Sequence, residues 1–128
     1  MQRAMMMTRQ VIDAAAFRTP LPVPREDVAV PEFGEGVVIP VWGMTALERT
    51  RFEQSMQGKS GPVAARVAEI RERLVVACCK SDDGVPLFTA ADVQAIGQQR
   101  ADIVERVVNA AQRLSGFTAA DIETTAKN

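Results

Sequence analysis

The side chains best suited to chemistry in this chain are two adjacent thiols, Cys78 and Cys79, and three lysines, Lys59, Lys80 and Lys127. There is no histidine among the 128 residues. That removes the commonest general base, the commonest metal ligand and the usual switch near neutral pH. Without histidine, serine and threonine hydroxyls lack their usual activating partner, and two cysteines alone cannot complete a zinc site. Neighbours on a helix point about 100° apart, so the two thiols cannot clip a long loop. They read as small buried hydrophobes of a reducing compartment. The lysines fall in loops or near residue 128, poor places for the desolvation that makes an amine reactive. Asp82-Asp83-Gly84 lacks the further oxygen ligands and closing Glu of a calcium loop and reads as a turn. Gly58-Lys59-Ser60-Gly61 lacks the upstream glycine spacing and the preceding strand of a phosphate loop. The carboxylate pairs Glu48/Glu53 and Asp102/Glu105 sit among basic neighbours at polar helix positions, a solvated-surface pattern. An enzyme is therefore the least favoured class, and the residues imply no cofactor and no metal.

Charge and hydropathy narrow the field further. Fifteen basic groups face sixteen acidic ones, for a formal charge of -1. They do not cluster: residues 1–60 hold seven of each sign, and residues 61–128 hold eight basic and nine acidic groups. Phosphate neutralisation supplies most of the affinity of nucleic-acid binders, so a chain with no basic stripe points away from nucleic acid and, equally, from anionic lipid. No window approaches the roughly 18 uninterrupted apolar residues of a membrane span. Near the start, Thr8-Arg9-Gln10 and Asp13 interrupt any secretory h-region, and Met5, Met6 and Met7 offer alternative starts alongside Met1. The length suits one domain with a modest core.

The elements that must position any functional surface follow from local patterns. Thr8 through Phe17 predicts a short helix capped by Thr8, with Val11, Ile12 and Ala15 on one side. Pro20, Pro22 and Pro24 then impose an extended, semi-rigid linker, so residues 1–25 form an arm and residues 26–128 the domain. Asp27–Val30 and Val37–Trp42 are β-rich runs around the turn cluster Gly34-Glu35-Gly36, which predicts a hairpin. Pro31 and Pro40 place its strands at an edge or at bulges. A lone hairpin is marginal in water, so its apolar side must lie on helices or pair with a partner, which leaves self-association open. Trp42, its largest apolar group, is the expected anchor to the helices. Thr45-Ala46-Leu47-Glu48 is a capping box, and Thr89–Asp92 and Thr118–Asp121 repeat its spacing with the shorter Asp. Helices are expected at 45–56, from Pro62 to the cysteines with a stripe of Val63, Val67, Ile70 and Leu74, at 89–96, at 98–115 and at 118–126. The helix at 98–115 has the breadth of a central core element. The last one is mostly polar and is expected to be frayed or completed by a partner. The predicted fold class is α+β, mainly α: an N-terminal β-hairpin packed on a small bundle of about four to five helices.

Taken in order, these segments resemble a known family. Val28-Ala29-Val30-Pro31-Glu32-Phe33-Gly34-Glu35-Gly36-Val37-Val38-Ile39 is similar to the hairpin of tail assembly chaperones from long-tailed bacteriophages and prophages. Thr45-Ala46-Leu47-Glu48-Arg49-Thr50-Arg51-Phe52-Glu53 resembles the helix that follows in that family. Asp82-Asp83-Gly84-Val85-Pro86-Leu87-Phe88-Thr89 with Asp92-Val93 resembles its turn and short helix, and Ala111–Thr118 through Lys127-Asn128 its end. The resemblance covers roughly residues 8–128. Val41-Trp42-Gly43 and Met44 depart from the pattern just before the first bundle helix.

The resemblance implies a non-enzymatic assembly factor of the host bacterial cytoplasm, absent from the mature virion. Its partners would be the tape-measure protein, kept soluble while tail-tube subunits add around it, and the tail-tube protein, mainly through a longer form made by programmed ribosomal frameshifting. Ala126-Lys127-Asn128 can be encoded with an A-rich slippery run. Val37, Ile39, Phe88, Phe117 and Ile122 are the candidate partner-binding residues, because each stands near an element end where it can be partly exposed. The competing readings are a structural minor tail or head–tail component retained in particles and, less favoured, a small helical DNA-binding regulator.

Overall fold

The computed structural model describes residues 8–58 and 60–128. The alternative starts at Met5–Met7 and the loop position of Lys59 lie outside those residues. Helix α1 (Ala14–Arg18) is followed by strand β1 (Arg25–Ala29), strand β2 (Val38–Trp42), and helices α2 (Ala46–Met56), α3 (Val63–Cys78), α4 (Val93–Gly97), α5 (Ala101–Ser115) and α6 (Ala119–Lys127). This is an antiparallel hairpin on a helical bundle, the α+β, mainly α class that the patterns predict.

The strands pair from Arg25 opposite Trp42 to Ala29 opposite Val38. The ladder continues at both ends, where Gly43 N–H donates to Pro24 O at 2.8 Å and Val30 N–H to Val37 O at 3.0 Å. A 3-10 turn at Pro31–Phe33 and left-handed backbone at Gly36 (φ 78°) close the connection. Pro40 has no amide hydrogen, yet its carbonyl accepts from Lys80 N–H at 3.2 Å, and Val41 bridges to Cys79. The chain leaving α3 thus covers part of the β2 edge, which is how a proline is tolerated there. Val28, Val30 and Val41 are the buried hairpin residues.

Helix α3 is the hub. It packs on α4, α5 and α6, while α5 carries the hairpin on its other side. Its Ile70, Leu74, Val75 and Cys78 are buried together with Val107, Val108, Ala110 and Ala111 of α5. The sequence assigns the central role to α5, but its apolar face is divided between α3 and the hairpin, and α3 touches more of the bundle. Pro62 is the N-cap of α3, one residue before the position expected for it.

Three further expectations are corrected. Asp13, whose carboxylate accepts from Ala15 N–H at 3.1 Å, caps α1 in place of Thr8, and the helix is only five residues long. An aspartate cap five residues nearer to Ala14–Arg18 prevails because no side chain of residues 8–18 is buried, which leaves the local cap to decide where the helix starts. Trp42 is half-buried between the Arg25 guanidinium at 4.8 Å and the Lys80 ammonium at 5.8 Å from its ring. Val41, fully buried beside Cys79, is the anchor instead. Finally, α6 is docked and not frayed. Ile122, Thr125 and Ala126 are buried, against α3 and α2.

All three capping boxes form. Thr45 Oγ1 accepts from Glu48 N–H at 3.1 Å and Glu48 returns the contact to Thr45 N–H at 2.9 Å. Asp121 reaches Thr118 N–H at 2.8 Å, and Asp92 reaches Thr89 N–H at the same distance. The shorter Asp therefore closes the box as tightly as Glu does. Asp92 ends a 3-10 turn (Ala90–Asp92) that runs directly into α4.

Candidate functional site

The bundle leaves one conspicuous gap between the hairpin turn and helices α4 and α5. It is a cleft of about 470 Å³, within the ~300–1,000 Å³ of ligand-holding clefts. Its floor is built of buried core residues, Val75 of α3, Ile103 and Val107 of α5, and Val30 of the hairpin. Phe33, Val37 and Ile39 form the hairpin wall, and Phe88, Ile96 and Val104 form the opposite one. Asp92 and Gln99 are the polar side chains of the lining, so the cleft offers apolar contact with few groups that could orient a polar ligand.

This opening follows from local chain geometry. The 3-10 turn after Val30 lifts Phe33 off the bundle, leaving it 58% exposed, and Val37 is 39% exposed. On the other side, Gly97 sits so close to α3 that an added Cβ would lie 2.8 Å from the Glu72 carboxylate. Helix α4 therefore ends against α3, to one side of the gap.

A charged clamp fixes the hairpin wall. Arg106 of α5 donates to Glu32 Oε1 at 3.1 Å and Oε2 at 2.9 Å, and to Ala29 O at 2.9 Å. This fork-on-carboxylate geometry adds orientation as well as attraction. The Arg106 hydrogen bonds, helped by the charges of Arg106 and Arg100, pull the Glu32 carboxyl down from its ordinary 4.5 to about 2. Arg100 is in turn held by Asp102 at 2.6 Å and 3.0 Å, and its guanidinium, acting mainly through those hydrogen bonds, lowers the Asp102 carboxyl. The hairpin turn is thus tied to the first two turns of α5 by ions, of which Glu32, Arg100, Asp102 and Arg106 all lie outside the cleft lining.

Of the five residues proposed for partner contact, the structure brings Val37, Ile39 and Phe88 together in this cleft. Phe117 and Ile122 are elsewhere and are only 5% and 3% exposed. Phe117 meets Phe52 edge-to-face at 5.8 Å, and Arg49 covers its other side with the guanidinium 4.3 Å from the ring. Arg49 also donates to Gly116 O at 2.9 Å and pairs with Asp121 at 3.4 Å. The expectation that Phe117 and Ile122 are partly exposed is therefore corrected: docking of α6 seals both into the core. Phe33, Ile96 and Val104 were missed as wall residues. Phe33 carried a usable signal, a large apolar side chain in a turn, while the α4 and α5 contributors look like any buried helix face.

Cys78 and Cys79 are buried free thiols. Burial pushes them up to about 11 and about 12, respectively. Protonated and enclosed, they are unsuited to nucleophilic or redox work. The carboxylate pairs are neutralised at the surface: Glu53 lies 3.7 Å from Arg49, and Glu105 2.6 Å from Arg71. Among the described residues no cluster of three or more Cys, Asp or Glu is arranged to hold a metal, and no helix is long and apolar enough to cross a membrane.

A two-stranded hairpin laid on α5, with α3 packed against the same helix, is a fold that this chain shares with a solved phage protein. That protein is the tail assembly chaperone of bacteriophage HK97. It aligns with a TM-score of 0.54 and 19% identity over 71% of this chain and 84% of that one. No family model and no curated protein sequence matches the chain.

Proposed function

We propose that this protein is a tail assembly chaperone of a long-tailed bacteriophage or prophage, acting in the host cytoplasm without making or breaking bonds. In this reading the cleft beside the hairpin receives apolar faces of tape-measure helices, keeps that long chain soluble and helps bring tail-tube subunits to it. A frameshifted longer form would carry the tail-tube contact. The single observation that supports it most is an open apolar cleft set in the fold shared with the HK97 chaperone. A helix laid in a hydrophobic groove is a recurrent mode of peptide recognition and needs few polar anchors. The even charge balance suits a client recognised by apolar contact.

Co-expression with the adjacent tape-measure reading frame tests the proposal. The wild-type chain raises the soluble fraction of that partner. Phe33→Asp and Val37→Asp, both at exposed wall positions, abolish the gain while circular dichroism shows an intact fold. Equal tape-measure solubility with and without the chain refutes the role. Mass spectrometry of purified virions separates the alternatives, because abundant recovery from particles marks a structural tail component.

A further inference from the structure

The arm before the hairpin carries four large apolar side chains with nothing to bury them. Val11, Ile12, Phe17 and Leu21 are 62–86% exposed, and α1 contributes no buried residue. The same chain has an apolar cleft open on its other side. We infer that the arm of residues 8–24 docks into the cleft of a second copy of this chain, so that free chaperone associates by arm exchange.

Three observations select that occupant. The first is chemical likeness: the arm presents aliphatic and aromatic groups to a cleft walled by Phe33, Val37 and Ile96. The second is charge. Residues 8–24 hold two basic groups, Arg9 and Arg18, and one acidic one, Asp13, whereas residues 25–128 hold twelve basic and fifteen acidic groups. Arm and body are therefore of opposite sign, and Glu35 and Asp92 stand in the turn and lining that the arm would approach. The third is reach. The linker leaves the hairpin at its Pro24/Gly43 end, and the cleft lies at the turn end. Pro20, Pro22 and Pro24 hold the linker extended over about 15 Å, and β1 spans about 16 Å more. An extended linker that continues the line of β1 carries Phe17 about 30 Å from its own cleft, and Arg18 and Thr19, the two residues between Phe17 and Pro20, cannot cover the return. Docking in trans needs no such reversal. The inference concerns the chain alone, so it stands or falls separately from tape-measure binding.

Sedimentation velocity on the full chain from about 1 to 100 µM tests it. Wild type is expected to show concentration-dependent association. Phe17→Asp, Leu21→Asp and Phe33→Asp, all at exposed positions, are each expected to weaken it roughly tenfold or more. An equal mixture of Leu21→Asp and Phe33→Asp regains association, because one supplies a sound cleft and the other a sound arm. In a parallel experiment Phe17→Cys and Phe33→Cys, made on separate chains, form a disulfide across the mixture. A monomeric wild type at the highest concentration, a mixture that stays monomeric, or a crosslink that forms only when both cysteines are on one chain overturns the inference.

Discussion

Gly43→Ala tests whether the hairpin is seated on α5 as closely as the structure requires. Gly43 is buried at the end of β2. A Cβ there would lie 2.5 Å from Leu114 O, 3.1 Å from Leu114 C and 3.3 Å from Pro24 Cδ. An ordinary carbon–oxygen contact needs about 3.3 Å, so backbone must move by about 0.8 Å between two rigid elements. The Gly43 N–H to Pro24 O bond of 2.8 Å pins the strand and prevents easy relief. Overpacking of this kind costs about 1–3 kcal/mol, and the upper end applies because both opposing groups are backbone or proline ring. Reduced freedom of the unfolded chain offsets about 0.4–1 kcal/mol. The net loss is about 2 kcal/mol, a fall in Tm of roughly 6–10 °C for a chain of this size. Thermal and urea unfolding measure it, with a lower midpoint and an unchanged urea slope expected. A Tm within about 1 °C of wild type refutes the close approach, and with it the account of how the cleft's hairpin wall is held.

Other outcomes follow from the titrating and reactive groups. Because the folded Glu32 carboxyl titrates near 2 and not 4.5, its contribution is present above its unfolded value and is lost as pH falls between those limits. Glu32→Gln should flatten the acid limb of the stability curve over that window, and an unchanged limb contradicts the Arg106 clamp. The Glu72 carboxyl is raised, chiefly by burial and then by Glu69. It opposes folding once pH rises through its unfolded value, so Glu72→Gln should raise the midpoint of unfolding at pH 7 and leave it unchanged at acid pH. Cys78 and Cys79, held up to about 11 and about 12, should resist a thiol reagent in the native protein and react fully in denaturant; rapid labelling without unfolding would show that the α3 end is open.

Local rules succeeded where a few consecutive residues settle the matter. The capping boxes at Thr45, Thr89 and Thr118 need only partners three residues apart, and each forms. The hairpin was legible from β-branched runs around two glycines, and the stripe of α3 from spacings of three and four. Failures fell where two weak local signals competed or where burial depended on a distant segment. Asp13 displaced Thr8 as a cap because no residue of the longer helix is buried, so the local cap decided. Val41 displaced Trp42 as anchor because the chain at Cys79 returns beside it. Helix α6 looked too polar to pack, yet one turn of Ile122, Thr125 and Ala126 meets α3 and α2 closely enough to bury Phe117 beneath it.

The candidate site divides along the same line. Apolar residue types near the hairpin turn and before α4 were readable, which is why Val37, Ile39 and Phe88 were named from the sequence. Whether such residues face a neighbour or an opening was not, since that depends on where α4 ends against α3 and how Arg106 ties the turn to α5. By itself the sequence determined the elements, their caps, the absence of a histidine-based chemistry and the family resemblance, because those reside in composition, order and short-range spacing. Only the tertiary structure decided that Phe117 and Ile122 are sealed while Phe33 and Val37 line an open cleft, because exposure is set by the surfaces that distant segments bring together.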